Sequence, residues 1–529
     1  MARAHRLATD LKPPFHHTRG RLRHNVVVAD TIRVVQVDRR HFIGMGASAA
    51  AALLAGCSGE RDESNSSPST SFVDPTLGRT PDVVAAYRAG PVELDLAGTV
   101  VSTWGYSDIV PGKLLRARAG DLVQVTIDNA LNEATSVHWH GLAIVNAMDG
   151  VPGLTQPDIA PGSSFVYRFV VPDPGTYWFH PHHGLQLDRG LYAPLIIDDP
   201  QEDSDADAEF VLVLDDWLDG LGTTPDEEFV RIREMGASMD HTGGDMDGMG
   251  GMGMATSPLL GGDAGDAVYP YHLINGRPIG DPLTLEPRPR AGDRVRLRIV
   301  NAGSDTAYRV AVGGHKMTVT HSDGFPVVPF DVDAFIIGMG ERYDVTIDVR
   351  SGAWPIIALA EGKDARAAAV LRTVDANETA TPDLEAAISE LDGDWLRYAD
   401  MRATANAALN PPSEIRQHNL KLTGGMGRYD WGIDGKPFGE HTPIEVEHGE
   451  WLSLIIENET TMWHPIHLHG HTPQLGGLPG GARKDTVNVL PGVSVELTFP
   501  ADNPGNWMLH CHNAYHLESG MATVLSYTT

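Results

Sequence analysis

Cysteine is almost missing. Two thiols in 529 residues, Cys57 and Cys511, argue against a disulfide framework, and each needs its own explanation. Positive charge is also scarce: 40 Lys and Arg against 70 Asp and Glu leave a formal charge of −30. That balance speaks against a nucleic-acid surface and leaves room for cationic partners such as metal ions. No run beyond the leader is apolar enough to span a bilayer, and helical hydrophobic periods are few. Histidine is what the chain has in excess. The 24 residues crowd into His-X-His pairs, the pattern a metal enzyme shows.

The leader comes first. From Asp38 the chain reads D-R-R-H-F-I-G, then a small, apolar run from Met45 to Gly56, which fits the h-region of a signal peptide. Arg39-Arg40 resembles a twin-arginine signal. Leu54-Ala55-Gly56-Cys57 resembles a lipobox, so Cys57 is expected to become the lipidated first residue of the mature chain; the alternative is a chance thiol in an alanine-rich leader. The basic residues before Asp38 are unusually long for an n-region, and translation is expected to start later than Met1. Residues 1–56 are therefore read as signal and 57–79 as a flexible tether. Export to the periplasm or cell envelope follows, with the membrane touched only through that lipid.

A length prior near 150 residues per domain suggests roughly three domains, and an internal repeat marks them. Gly120-Asp121 opens an alternating run ending at Asn129, Gly292-Asp293 one ending at Asn301, and Gly449-Glu450 one ending at Asn458. Pro161-Gly162 and Pro491-Gly492 precede further alternating runs, each followed by a Pro-Gly turn and an aromatic strand. Short strands punctuated by Gly and Pro predict an all-β chain of three Greek-key β-sandwiches, at 80–200, 205–376 and 390–529.

The histidines fall on this repeat. The ninth and eleventh residues after Asn129 are His138 and His140, and after Asn458 they are His467 and His469; after Asn301 they are Val310 and Val312. Five and seven residues after Gly175 come His180 and His182, and after Gly505, His510 and His512. Residues two apart on a strand share a face, so each pair offers two imidazoles to one side, and eight rings on facing domains can hold several metal ions. Cys511 has the opposite parity, as does His464. With His516 and Met521 they form the His₂Cys-plus-methionine set of a blue-copper electron-transfer site. The matching positions in the first repeat are Thr135, Pro181, Gln186 and Leu191, so the sandwich does not need these ligands to fold. His183, His471, His315 and His321 are not expected to be ligands.

His138-Trp139-His140-Gly141, His180-Pro181-His182, His464-Pro465-Ile466-His467-Leu468-His469-Gly470 and His510-Cys511-His512 through His516 to Met521 resemble the four copper motifs of multicopper oxidases. The resemblance spans essentially everything after the tether and implies cupredoxin-like domains with four copper ions. It places His138 and His467 on a type 2 copper, and His140, His180, His182, His469, His510 and His512 on a type 3 pair. A type 1 copper would take His464, Cys511, His516 and Met521. It further implies that electrons enter at an exposed imidazole edge, His516, pass through Cys511 to His510 and His512, and reduce dioxygen to water. Asp149 resembles the family's proton-handling acid; otherwise it is a turn residue before Gly150. Leu517 stands where some relatives carry a glutamate, with Glu518 one step on.

The electron donor is read from residues 235–254, a glycine-rich stretch expected as a loop, with Met239, Met246, Met249, Met252 and Met254 beside His241, Asp245 and Asp247. Thioethers favour Cu(I), and the stretch resembles the methionine-rich insertions of copper-tolerance cuprous oxidases. Cu(I) is the leading donor. A laccase-like phenol oxidase, a ferroxidase and a copper-sequestering envelope lipoprotein are the alternatives, and a two-domain nitrite reductase fits the three repeats poorly. The sequence assigns no oligomeric state.

Overall fold

The computed structural model describes residue 76 and residues 78–202, 205–242, 255–377, 381–477 and 479–528. The repeat is built the same way three times. Gly120, Gly292 and Gly449 have φ of 90°, 91° and 87°, a left-handed turn that favours a residue without a β-carbon. The acid that follows closes each turn: Asp121, Asp293 and Glu450 accept the backbone N–H of Arg118, Arg290 and Glu447 at 2.8, 2.7 and 3.0 Å. The strand then runs between one parallel and one antiparallel neighbour. In the first copy β4 (Leu122–Asn129) lies between β1 (Val83–Leu96) and β6 (Ser164–Val170). Arg294–Asn301 lies between Ala208–Trp217 and Arg342–Asp348, and Trp451–Asn458 between Arg416–Thr423 and Ser494–Pro500.

The asparagine closing each copy ties one sheet to the other. Asn129 donates to the carbonyls of Glu133 and Ile159, Asn301 to those of Thr306 and Ile337, and Asn458 to those of Met462 and Val489. Each also accepts the N–H two residues on. Three buried backbone groups are thus satisfied where the chain crosses over, which explains the recurrence of asparagine in all three copies.

Each repeat belongs to a pair of sheets. In the first, β2 (Thr99–Tyr106), β1, β4 and β6 form one sheet. β3 (Leu115–Arg118), β8 (Ala193–Asp198), β7 (Gly175–His180) and β5 (His138–His140) form the other. Val123, Val125 and Ile127 from one sheet meet Trp139, Phe179 and Leu195 from the other in one apolar core. The middle pair has seven and five strands, and the last pair five and five. Among the described residues no helix is long and apolar enough to cross a membrane.

One expectation fails here. The stretch from Met235 begins as helix: α1 spans Pro225–Thr242. Thr224 and Glu227 cap one another, with the Glu227 N–H donating to Thr224 Oγ1 at 3.3 Å and the Thr224 N–H to Glu227 Oε2 at 2.9 Å. Pro225 suits the first turn, and Phe229 and Ile232 seat the helix on the core. The side chain of Met239 and all of Met246, Met249, Met252 and Met254 lie outside the described residues, as do Arg39, Arg40 and Cys57.

Candidate metal centre

Strand pairing assembles the histidines. β5 and β7 place His138 opposite His180. His464–Leu468 and Asn506–Cys511 place His467 opposite His510. The first and third sandwiches then bring these rows face to face: His138 stacks on His469 with ring centroids 3.7 Å apart, and His140 on His467 at 3.8 Å. One nitrogen each from His140, His180 and His512 lie within 4.8 Å of one another, as do those of His182, His469 and His510, and of His138, His140 and His467.

Hydrogen bonds decide which nitrogens face inward. His138, His180, His467 and His510 each turn Nδ1 to a backbone carbonyl, of Asp149, Pro181, Asp485 and Cys511, at 2.8–3.0 Å. A carbonyl only accepts, so the proton sits on Nδ1 and Nε2 carries a lone pair. His469 Nδ1 likewise donates to the Asp149 carboxylate, at 3.0 Å. The Nε2 atoms of His138 and His467 then face each other at 3.4 Å, and those of His469 and His510 at 3.2 Å, lone pair to lone pair. Nε2 of His180 and of His182 are buried with no hydrogen-bond partner. Converging lone pairs with no proton between them suit cations, and the donor set fits copper.

Burial, and then the neighbouring imidazoles, push His182, His469 and His512 well below the ordinary histidine range, and burial does the same to His140, His180 and His510. In copper-free protein these rings stay neutral, whereas the unfolded chain takes up protons below its value of 6.5. The unfolded state then binds more protons, so stability is complete above that value and falls as pH drops through it. Acid unfolding of copper-free protein, followed by tryptophan fluorescence, is expected to begin between the unfolded value and about pH 5, and copper to delay it. Equal stability across that window would refute neutral rings.

The opposite parity builds a second cluster. Cys511 Sγ lies 3.7 Å from His464 Nδ1 and 3.6 Å from His516 Nδ1, and the two nitrogens are 3.0 Å apart. His464 turns Nε2 to Thr460 Oγ1 at 2.8 Å, and His516 turns Nε2 to Asp266 Oδ2 at 2.9 Å, so both Nδ1 atoms face the sulfur. Asn513 caps α2 (Ala514–Glu518), which carries His516 back over Cys511. Met521 is fully buried; its N–H donates to the His516 carbonyl and its own carbonyl accepts from the Cys511 N–H. At the matching place in the first sandwich, Thr135 Oγ1 donates to Gln186 Oε1 at 2.7 Å, so an ordinary buried hydrogen bond occupies the same niche.

Asp149 is more than a turn residue. It is 1% exposed, and its carboxylate reaches Nδ1 of both His138 and His469. At Gly150, where φ is 88°, a β-carbon would stand 1.8 Å from the Val137 carbonyl, so only glycine lets the chain press this acid against the rings. Leu517 packs beside Val151 and Met508, and burial raises Glu518. The histidines set aside are engaged elsewhere: His183 with Asp158, His471 with Tyr527, His315 with Gly313 and His321 with Thr320.

The exposed imidazole edge expected at His516 is absent. The ring is fully buried, tilted against Trp431 at 4.3 Å, and its outward nitrogen is occupied by Asp266. Burial disfavours a charge on His516, but Asp266 and then Cys511 outweigh it and push the ring up to about 10, so the field at this end favours a cation. Asp266 escaped the sequence reading because it has no counterpart in the other repeats. Asp485, Thr486 and Arg342, which stand behind the histidine cluster, were missed for the same reason.

Two sandwiches carrying facing histidine pairs, with a thiol wired to one of them, define a copper-binding oxidoreductase. The chain belongs to the multicopper oxidases: the family's models, each described as multicopper oxidase, match residues 90–202, 256–376 and 411–529. Its three domains are cupredoxin-like. It is 45% identical over 499 residues to the multicopper oxidase MmcO of Mycobacterium tuberculosis, covering 93% of this chain and 96% of that one. A copper resistance protein A homolog of Pseudomonas syringae pv. tomato is 29% identical, over 82% of this chain and 90% of its own. The crystal structure of the laccase from Botrytis aclada superposes with a TM-score of 0.70 at 25% identity, over 84% of this chain and 88% of that one.

Proposed function

We propose that this oxidase takes electrons singly from Cu(I), giving Cu(II), and delivers them to dioxygen to form water at the cell envelope. His138 and His467 would hold one copper, His140, His180 and His512 a second, and His182, His469 and His510 a third. His464, Cys511, His516 and Met521 would hold the fourth. Bound there, copper supplies one-electron chemistry at the thiolate and dioxygen reduction at the histidine cluster. The protein's share is orientation and insulation. His138, His140, His180, His464, His467, His469, His510 and His516 are each locked by a hydrogen bond on the far nitrogen, burial excludes water, and Asp149 holds two rings while standing where a proton is needed. Cys511 joins both sites covalently, since His510 and His512 are its chain neighbours. The Arg39-Arg40 leader and a lipid on Cys57 would put this chemistry outside the cytoplasm.

The observation that carries the donor is Asp266. Its Oδ2 accepts from His516 Nε2, while its Oδ1 is buried with no partner. Asp263 lies nearby, pushed up to about 7 by burial and by Asp266. This acidic handle meets a small cation better than a phenol ring. The described flanks of the methionine-rich stretch also arrive here. Phe229 of α1 packs against Tyr429 and Tyr515, and Gly236 presses on the Met426 carbonyl, while the chain returns through Asp263 and Asp266. The thioethers carried by that stretch would select a soft monovalent ion, and a relative named for copper resistance agrees with that choice.

Initial oxygen uptake by copper-loaded protein on Cu(I), Fe(II) and a substituted phenol tests the reading. Asp266→Asn is expected to lower kcat/KM for Cu(I) at least about tenfold, within the 1.5–3 kcal/mol of a charged hydrogen bond. Deleting residues 239–254 should also reduce Cu(I) turnover and spare the phenol. Equal loss on all donors would favour the laccase-like alternative, and no uptake above background would favour copper sequestration.

A further inference from the structure

The middle sandwich contributes none of the eight rings, yet it supplies the residue that grips the acid behind one of them. His138, His180, His467, His469 and His510 are tied to the protein through Nδ1. His140 is tied through Nε2, which lies 3.2 Å from Thr486 Oγ1 and 3.3 Å from Asp485 Oδ1, and its Nδ1 is buried without a partner. The Thr486 hydroxyl donates to Asp485 Oδ1 at 2.9 Å, so both neighbours of Nε2 act as acceptors. The proton therefore sits on Nε2, and the lone pair facing the cluster is on Nδ1.

Asp485 is held in turn by Arg342 of the middle sandwich. The guanidinium grips both carboxylate oxygens, Nη1 to Oδ1 at 2.7 Å and Nη2 to Oδ2 at 2.6 Å, a two-pronged geometry that leaves the acid no freedom. Its Nε donates to the Thr176 carbonyl at 3.1 Å, on the strand that carries His180. Lys484, next to Asp485, bridges Asp323 at 3.0 Å and Glu341 at 2.9 Å, both from the middle sandwich. Arg342, Asp485, Lys484, Asp323 and Glu341 are all 0% exposed. Two cations and three anions are thus buried together at the seam of three sandwiches, leaving a net negative charge beside the ring cluster. A buried network of this kind is a poor source of stability and a good source of fixed geometry.

We propose that Arg342 is a positioning residue for the copper cluster: by clamping Asp485 it fixes the inverted tautomer of His140, so that the metal is met by Nδ1. This rests on reading the histidine cluster as a copper site, and it gives the sandwich without ligands a part in the chemistry. Arg342→Lys keeps the charge and loses the fork; Arg342→Met loses both. For each variant, copper-free protein is titrated with Cu(II), the EPR spectrum of the copper bound at the cluster is recorded, and the blue thiolate absorption of Cys511 serves as the internal reference. We expect blue absorption and copper-free thermal stability near the parent's in Arg342→Lys, with copper affinity at the cluster lowered about 10–100-fold and an altered cluster EPR signal. Arg342→Met should lose more; if it does not fold, Arg342→Lys decides alone. Parental affinity and an unchanged spectrum in Arg342→Lys would overturn the proposal. Loss of the blue absorption and the cluster signal together would overturn it too, because Arg342 would then serve folding only. The readout is copper binding rather than turnover, so its failure leaves the Cu(I) reading standing, and the converse holds.

Discussion

Cys511→Ser is expected to abolish the blue colour and oxygen consumption with every donor while leaving the histidine cluster able to bind copper. The sulfur stands with His464 and His516, both of which turn Nδ1 toward it, and a hydroxyl gives copper neither the soft thiolate nor its covalency. The loss should exceed the roughly 10–100-fold that follows replacement of an outer partner of a ligand. The eight rings belong to the other face: His510 and His512 flank Cys511 in the chain, yet their partners are His182, His469, His140 and His180. Copper per chain should therefore fall by about one ion, with the cluster's EPR signal kept. A variant that stays blue, or that loses cluster copper in proportion, would mean the thiol and the rings share one site.

What could be read in advance was whatever the chain repeats. Gly120, Gly292 and Gly449 turn alike, the acids after them close the turns alike, and Asn129, Asn301 and Asn458 bridge the sheets alike, because each is a local solution to the same crossover. Ligand parity follows from strand geometry and was legible for that reason. The surroundings of the ligands were not. Asp266 reaches His516 across 250 positions, and Arg342 reaches Asp485 across 143; each occurs once and follows no period. The supposedly open edge of His516 was lost to such a contact. The start of α1 is a different case, since Thr224, Pro225 and Glu227 form a capping box visible in the sequence. The glycines and methionines further on favour a loop, and the cap upstream outweighs them as far as Thr242.

Asp149→Asn separates two roles that the wild-type carboxylate combines. The backbone carbonyl of Asp149 holds His138, and its side chain accepts from His469 Nδ1. Asparagine keeps the carbonyl and an acceptor oxygen at nearly the same place, so ring orientation and copper content should survive. It cannot carry a proton. If Asp149 delivers protons for dioxygen reduction, the substitution should slow reoxidation of the fully reduced enzyme by about 10²–10⁴-fold, the usual contribution of a positioned acid. Reduction of the thiolate site by the donor should stay fast, since that site is walled by Thr460, Trp431 and Asp266 rather than by Asp149. Stopped-flow decay of the blue absorption under donor, and its return on adding oxygen, measures both steps in one sample. Parental reoxidation in Asp149→Asn would confine Asp149 to holding His138 and His469 in place. Slow reoxidation with intact spectra would make it the acid.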